Sequence, residues 1–502
     1  MSNSHPEKRI LKEAGISFSG MSIGSVFRYL FSIILGRFFG AQLLGFYSIA
    51  NAVMRISEVF ALLGLDTGVL RFVSRNPNNK SDIQKILDSS LKTALLSSTL
   101  IALVVFLLSD WLVQNILKED ISVSILLKWF SITLPFTVTT LILSSFTQAF
   151  QSLKYKIFVN QLLSPFTLLV FTILMYFIAN PLAAIIFPTI ISSFISIIAI
   201  FFFARRFSKI RIKEIFKTSF NREILQFSIP LMFVSAVGII MHWTDILMLS
   251  TFEDAYSVGL YHPIERTAGL IRMIFFAFAG IFSPMFSKYY YEKNHLKMKE
   301  IFDLSSNWIL MFSMPLFIFF VLFPSDILSI FGDEFINDFS LIFLSVGILI
   351  QSYFGLGSSI LSMAGFSNLN FLNVSIGLFL NIFFNWILIP KYGLNGAVIA
   401  TSISLIILSI IRLLQIYSKF RILNLSINSL KPILVGILTF LVIDFIPFFN
   451  QPLQDTNFFK HVGKISLAFI FTSIVYFAIY GLIGISKAEK MIFKRLKDKV
   501  NE

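Results

Sequence analysis

The chain has 502 residues, of which 56% are hydrophobic and only 14% are charged. Soluble domains carry roughly 25% charged residues, so this composition excludes an ordinary soluble domain and indicates an integral membrane protein. There is no cysteine, which excludes disulfides and cysteine metal sites. Five histidines and no Gly-rich phosphate loop with lysine leave little material for a catalytic or ATP-hydrolysing centre. We therefore predict no enzyme, no cofactor and no metal site.

Apolar runs recur along the whole chain, and each is about the 20 residues that a helix needs to cross the hydrocarbon of a bilayer. The first run is too long for the apolar part of a signal peptide and is predicted to be a retained helix. The expected fold is an all-α integral membrane protein of about 14 transmembrane helices. The predicted spans are 16–36, 43–65, 88–108, 124–148, 157–179, 182–203, 224–249, 259–282, 304–323, 339–363, 370–390, 394–417, 432–449 and 462–485.

The charged loops predict the orientation in the membrane. With a cytoplasmic N-terminus, the inner segments are basic, among them "EKRILKE", "RFVSRNPNNK", "ARRFSKIRIKEIFK" and the tail "KAEKMIFKRLKDK". The outer loops "KED", "FED" and "SDILSIFGDEFIND" are acidic overall. The positive-inside bias thus predicts a multi-pass protein of the cell membrane with both termini cytoplasmic. The net charge of +14 indicates contact with anionic membrane lipids, and nucleic acid is not expected as a partner.

The sequence repeats itself at a shift of about 213 residues, which predicts two similar halves. "GFYSIANAVMRI" from Gly45 aligns with "GLYHPIERTAGLI" from Gly259, and "PLAAIIFPTIIS" aligns with "GLNGAVIATSIS". Six spans in each half give both halves the same orientation. We predict an N-terminal six-helix lobe at 1–206, a C-terminal six-helix lobe at 207–421, and two additional helices with a basic cytoplasmic tail at 422–502. Transporters of this kind bind cargo between their halves and alternate access.

A cationic stripe runs along the first span. Gly20, Gly24, Arg28 and Ser32 follow at four-residue steps and share one helix face. Facing lipid, Arg28 would cost about 3 kcal/mol, so we expect it to face the bundle interior or a wet cavity. In the repeat, Arg28 aligns with His242, and Asp245 lies one turn beyond.

His242 and Asp245 could form a satisfied hydrogen bond between helices or a proton relay, and the sequence leaves both open. Further charges lie in the second and eighth spans. Arg55 and Glu58 are one turn apart, and Glu265 and Arg272 share a stripe. Each pair is either a structural ion pair or part of a functional site that couples transport to an ion.

Arg266 lies close to Glu265 in sequence but points about 100° away from it around the helix. Together the arginines and His242 predict a cavity with a cationic character. Such a cavity suits a phosphate or pyrophosphate, because the guanidinium fork matches phosphate oxygens.

The stretch "LGRFFGAQLLGFYSIANAVMRISEVFALLGLDTGVLRFVSR" at 35–75 resembles the start of the polysaccharide transport branch of the multidrug, oligosaccharidyl-lipid and polysaccharide exporters. "YGLNGAVIATSIS" at 392–404 is similar to the opening of that family's twelfth helix. The resemblance implies a flippase of the O-antigen type, which moves undecaprenyl- or dolichyl-linked oligosaccharides for cell-surface polysaccharide assembly. The expected partners are the lipid-linked oligosaccharide and, as an open question, the polysaccharide polymerase machinery.

In the related lipid II flippases, arginines in the first, second and eighth helices line a cationic cavity. Arg28, Arg55 and Arg272 occupy similar helix positions here, and Arg266 competes with Arg272 for the last place. The resemblance also implies that the last two spans form a groove for the lipid tail.

Two other functions are weighed against the flippase. The first is a cation-coupled small-molecule exporter of the multidrug branch, for which acidic cavities and 12 spans would be expected. The second is a membrane glycan polymerase or ligase, which would need a large outer loop with catalytic residues. The longest outer segments are about 15 residues, short for a loop with a catalytic role of its own.

Overall fold

A computed structural model describes residues 6–75, 79–208, 212–424, 427–446 and 458–484, and these residues are helical or in turns, with no strand among them. In lipid, helices satisfy every backbone polar group within one segment, and this favours them over open strands. The helices are α1 Pro6–Leu62, α2 Leu65–Arg75, α3 Lys80–Trp111, α4 Ile121–Ser131, α5 Leu134–Ala149, α6 Leu153–Ile157, α7 Ser164–Tyr176, α8 Ala183–Ala204, α9 Ile212–Ile215, α10 Arg222–Phe252, α11 Ala255–Tyr291, α12 His295–Leu322, α13 Pro324–Leu328, α14 Asp338–Phe354, α15 Leu356–Met363, α16 Ser367–Phe420, α17 Leu430–Asp444 and α18 Phe458–Leu482.

Local sequence signals fix where many of these helices begin. Asn221, Asn294 and Asn337 each accept a hydrogen bond from a backbone N–H of the first turn that follows, in α10, α12 and α14. Asp120 does the same for α4. Short polar side chains at this position satisfy helix N–H groups that have no partner inside the helix.

Two helices are longer than one membrane crossing. α1 has 57 residues and α16 has 54, and at 1.5 Å per residue each would be about 80 Å long, against about 30 Å of hydrocarbon. Both are interrupted by a glycine with positive φ, Gly40 at 81° and Gly393 at 55°. Only glycine adopts such angles at little cost, so each long helix is two spans joined at a turn.

The span count agrees with the sequence prediction. Ten helical segments of the described residues are long and apolar enough to cross a membrane, and α4 with α5 forms one more as a pair bent by 46°. Counting the segments that contain α1 and α16 as two spans each, and the 15-residue α17 as one, gives the expected 14. The predicted all-α, multi-pass membrane fold is therefore confirmed.

The chain forms two compact units. Unit 1 comprises Met1–Arg266 and Phe371–Ser404, and unit 2 comprises Thr267–Asn370 and Leu405–Glu502. The core of unit 2 is aromatic and includes Phe286, Phe302 and Trp308. α17 and α18, which carry the predicted additional spans, pack on α12 in this unit. The lobe boundaries at 206 and 421 stay a prediction, and the basic tail lies outside the described residues.

A close crossing in unit 1 explains the repeated glycines. A Cβ atom on Gly45 would lie 1.7 Å from the carbonyl oxygen of Ala255, and one on Gly259 would lie 1.8 Å from that of Ala41. The two contacts are reciprocal, because Gly45 and Ala41 correspond to Gly259 and Ala255 at the same shift in the repeat. α1 and α11 therefore meet backbone to backbone at equivalent positions of the two halves.

Candidate functional site

Arg28 is held by neutral groups in unit 1. Its Nη2 donates to Gln161 Oε1 at 3.0 Å and to Ser25 Oγ at 3.3 Å. Gln161 lies in a π-helical segment, Phe158–Leu163, that widens the helix locally. Gly24 allows this approach, since a Cβ there would lie 2.0 Å from the backbone oxygen of Gln161. The guanidinium thus has an amide partner that leaves its charge uncompensated.

Arg55 and Glu58 form the predicted ion pair, with 2.9 Å between Nη1 and Oε2. The Arg55 side chain is 52% exposed although it lies within a membrane-spanning segment. Both residues line a cavity of about 110 Å³ in unit 1. A polar cavity of this size can hold several water molecules. Its other lining residues are mostly hydroxyl, amide and aromatic side chains, namely Tyr47, Asn51, Met54, Phe130, Thr133, Leu134, Thr137, Ser164, Leu168, Thr189, Ser192 and Ser193.

Arg266 is oriented by a buried histidine. Its Nε donates to His262 Nε2 at 3.4 Å, and His262 is only 2% exposed. Because Nε2 accepts, the ring proton is assigned to Nδ1, which donates to Ser48 Oγ at 3.0 Å. Ser32 Oγ lies 3.1 Å from Nε2 on the other side. The neutral imidazole therefore joins both parts of α1 to α11.

Three guanidinium groups act on one another in unit 1. Arg28 lies within electrostatic range of both Arg266 and Arg55. Among the described residues, neither Arg28 nor Arg266 has a carboxylate within ion-pair distance, and Glu58 compensates Arg55 alone. This part of unit 1 therefore has an excess of positive charge inside the membrane-spanning region.

Asp245 is the centre of a second polar cluster in unit 1. It is 6% exposed, and its carboxylate accepts from Tyr261 at 2.8 Å, Thr401 at 2.5 Å, Asn381 at 2.9 Å and Asn385 at 2.7 Å. The described residues place no lysine or arginine within ion-pair distance of it. Two amide N–H groups and two hydroxyls thus satisfy the carboxylate by hydrogen bonds from neutral donors.

The remaining predicted residues lie as follows. His242 packs edge-on against Trp243, with ring centroids 5.1 Å apart, and its role beside Asp245, as a hydrogen-bond partner or in a proton relay, stays a prediction. His242 and Glu265 both lie within electrostatic range of His262. Arg272 belongs to unit 2 and is half-buried there. Arg266 is the alternative to Arg272 as the third arginine of the predicted cationic cavity. It belongs to unit 1 and lies within electrostatic range of Arg28.

Several residues of these clusters were missed in the sequence. Asn381 and Asn385 are four residues apart in the otherwise apolar stretch "GLFLNIFFNWILIP", a signal of a polar helix face that could have been read. Gln161 and His262 gave no such signal. Their roles depend on partners more than 100 residues away, namely Arg28, Ser32 and Ser48.

The helices and the charged side chains inside them define a multi-pass, all-α membrane protein. A model of the family described as "Polysaccharide biosynthesis protein" matches residues 10–290. The chain belongs to this family, and the resemblance predicted from the sequence is confirmed.

The chain is similar to two named curated proteins. It is 28% identical over 186 residues to "Capsular polysaccharide biosynthesis protein CapF" of Staphylococcus aureus, covering 36% of this chain and 47% of that protein. It is 26% identical over 192 residues to "Probable low-salt glycan biosynthesis flippase Agl15" of Haloferax volcanii, covering 38% and 41%. The chain spans about half the length of the curated relatives that it matches.

A solved structure titled "Lipid II flippase MurJ, inward closed conformation" has the same fold. The TM-score is 0.70, and the match covers 92% of this chain and 98% of that chain at 17% sequence identity. At this identity the likeness concerns the fold alone.

Proposed function

We propose that the protein is a flippase that moves a polyprenyl-(pyro)phosphate-linked oligosaccharide from the cytoplasmic to the outer leaflet by alternating access, for cell-surface polysaccharide assembly. Membership of the polysaccharide biosynthesis family supports this proposal. The observation that carries it is the excess of positive charge in unit 1, where Arg28 and Arg266 are held by neutral partners.

The chemistry of these groups fits a phosphate or pyrophosphate. A guanidinium stays charged when it is buried and offers paired N–H donors in the spacing of phosphate oxygens. Arg28 and Arg266 would bind the anion, while Arg55 would contribute less because Glu58 compensates it. Arg272 stays a predicted contributor.

Asp245 is the proposed coupling residue. A buried carboxylate surrounded by neutral donors can exchange a proton or a cation against its hydrogen bonds, and such intramembrane carboxylates are typical of ion-coupled transport. Asn381, Asn385 and Thr401 supply neutral hydrogen-bond donors to this carboxylate. We further propose a cell-membrane location with both termini cytoplasmic, and the polysaccharide polymerase machinery as a partner.

The test is complementation of a bacterial strain that lacks its own oligosaccharide flippase. Arg28→Ala and Arg266→Ala should each reduce surface polysaccharide at least tenfold, with membrane levels unchanged by immunoblot. Arg28→Lys keeps the charge and should retain part of the activity. The matched control is Arg71→Ala, which removes an exposed arginine that stacks on Phe227 and should leave activity within twofold. Full activity of both Arg28→Ala and Arg266→Ala would refute the proposed site.

The alternative function is a cation-coupled exporter of small molecules. The Asp245 cluster is the feature that favours it, since a buried carboxylate also suits cationic cargo. Drug accumulation in cells with and without the protein separates the two functions. An exporter lowers drug accumulation and leaves surface polysaccharide unchanged. A flippase restores surface polysaccharide and leaves drug accumulation unchanged.

A further inference from the structure

A second cavity lies in unit 1, apart from the arginine cluster, at the ends of membrane-spanning segments. Its volume is about 670 Å³. Gly15, Ser19 and Gly20 of α1 form one wall, and residues of α6, of the π-helical segment and of the end of α8 form the others. The apolar wall of the cavity consists of Ile157, Phe158, Leu162 and Phe203.

Two exposed cations stand at the rim of this cavity. Lys154 lies at the start of the span Leu153–Tyr176, and Arg206 lies two residues past the end of the span Ala183–Ala204. Both therefore sit at the level where a bilayer passes from hydrocarbon to headgroups. The positive-inside bias predicts that this end faces the cytoplasm.

One aromatic ring brings the two cations together. Lys154 Nζ is 5.0 Å and the Arg206 guanidinium is 5.7 Å from the centroid of the Tyr155 ring. Arg206 Nη1 also donates to Tyr155 Oη at 3.1 Å, and the Tyr155 ring stacks on Phe203 with 4.7 Å between centroids. The rim is thus held in place by packing and by a hydrogen bond.

The two charges lack a compensating anion within the described part of the chain. Lys154 and Arg206 have no carboxylate within ion-pair distance there. Two like charges around one ring repel each other, and an anion placed between them would remove that repulsion. Because the wall below is apolar, the complementary ligand carries its anionic group at one end of a hydrocarbon chain.

We propose that this cavity, hereafter the rim site, binds an anionic phospholipid of the surrounding bilayer. Lys154 and Arg206 contact the phosphate, and an acyl chain packs along Phe158 and Phe203. The rim site is distinct from the cluster of Arg28, Arg55 and Arg266, and the inference does not depend on the proposed function.

The experiment measures lipid binding to the purified full-length protein by native mass spectrometry. Phosphatidylglycerol, phosphatidylcholine and a polyprenyl monophosphate are compared at equal concentration. The double variant Lys154→Gln/Arg206→Gln should bind phosphatidylglycerol roughly tenfold more weakly, because each basic residue near a headgroup contributes to the attraction. Binding of phosphatidylcholine should not change.

Two controls keep the result specific. Arg205→Gln removes a neighbouring exposed cation that lies over Phe201 and does not line the rim site, and it should bind phosphatidylglycerol within twofold of wild type. The charge-conserving double variant Lys154→Arg/Arg206→Lys should retain binding, which separates loss of charge from loss of fold. Equal phosphatidylglycerol binding by wild type and the Gln double variant would overturn the proposal. So would a loss confined to polyprenyl monophosphate, which would assign the rim site to a prenyl carrier.

Discussion

The arginines inside the membrane-spanning segments of unit 1 are stabilised in different ways. Arg28 has an amide and a hydroxyl as partners, Arg55 has a carboxylate, and Arg266 has a neutral imidazole. An arginine in a span costs about 3 kcal/mol on insertion scales, so each needs such partners or water. Of these three arginines, Arg28 and Arg266 have neutral partners that leave their positive charge available for an anion.

Arg412 in unit 2 is buried although it lies near the end of a span. Its place near a span end predicts a side chain that extends to the headgroups. In the structure it is only 9% exposed in unit 2, and its Nε has no hydrogen-bond partner within the described residues. A Cβ on Gly357 of α15 would lie 2.7 Å from Ile416 Cδ1, one turn beyond Arg412, and at an ordinary contact distance of 3.9 Å from the Arg412 Cβ.

Glu119, in the loop before α4, predicts a pH dependence of stability. Burial raises its pKa from 4.5 to about 7, with a further contribution from Asp254 and Asp120, while backbone N–H groups of Ala255 and Asp120 offset part of the shift. The folded protein therefore binds more protons than the unfolded chain between pH 4.5 and about 7. Stability should fall as the pH rises through this range.

The melting temperature between pH 5 and pH 8 tests this prediction. Glu119→Gln should be more stable than wild type at pH 8. Its melting temperature should fall much less than that of wild type between pH 5 and pH 8. Asp120→Asn is the matched control. Hydrogen bonds from Ser122 lower the pKa of Asp120. The contribution of Asp120 to stability is therefore lost only at more acidic pH, and Asp120→Asn should keep the decline in melting temperature between pH 5 and pH 8. An unchanged slope in Glu119→Gln would contradict the prediction.

At the scale of helices, glycines decide which elements approach one another. The crossing of α1 and α11 at Gly45 and Gly259 leaves no room for a side chain, because the nearest atoms are backbone oxygens that cannot turn away. The same residues align in the repeat, so a short Gly-x-Tyr pattern encodes a symmetric contact. A second close approach allowed by a glycine lies at Gly24. There the π-helical segment comes near α1, and its Gln161 amide accepts a hydrogen bond from Arg28.

Gly259→Ala should destabilise the protein by about 1–3 kcal/mol, the usual cost of overpacking, since backbone atoms must move to admit the methyl group. Gly238→Ala in α10 is the control because a Cβ there meets nothing within 4 Å, and it should be neutral or stabilising, as alanine is the better helix former. Thermal unfolding of the two variants in one detergent decides. Equal melting temperatures would show that the crossing tolerates a side chain.

At the scale of the whole molecule, the charges of the loops predict the orientation in the membrane, with both termini in the cytoplasm. The natural chain contains no cysteine, so single cysteines report on their own loops. A membrane-impermeant maleimide should label Asp333→Cys in intact cells, and it should label Glu292→Cys only after permeabilisation. Both positions are exposed, and the unmodified chain is the blank. Reversed labelling would place the termini outside and reject the positive-inside prediction.

The sequence alone determined the all-α membrane fold, the number of spans and the family. These follow from properties that each segment has by itself: hydrophobic length, flanking charge, glycine at turns and a repeated motif. It also determined that Arg28 lies on a polar helix face and that Arg55 can reach Glu58, because residues three or four apart share a face.

Tertiary structure decided which charges remain uncompensated. Gln161 meets Arg28, His262 meets Ser32 and Ser48, and Asn381, Asn385 and Thr401 meet Asp245 only once distant helices pack together. In all these cases the partners are more than 100 residues apart in the sequence. Hydrophobic periodicity carries no information about which polar group of one helix faces which group of another, so these pairings were fixed by the fold.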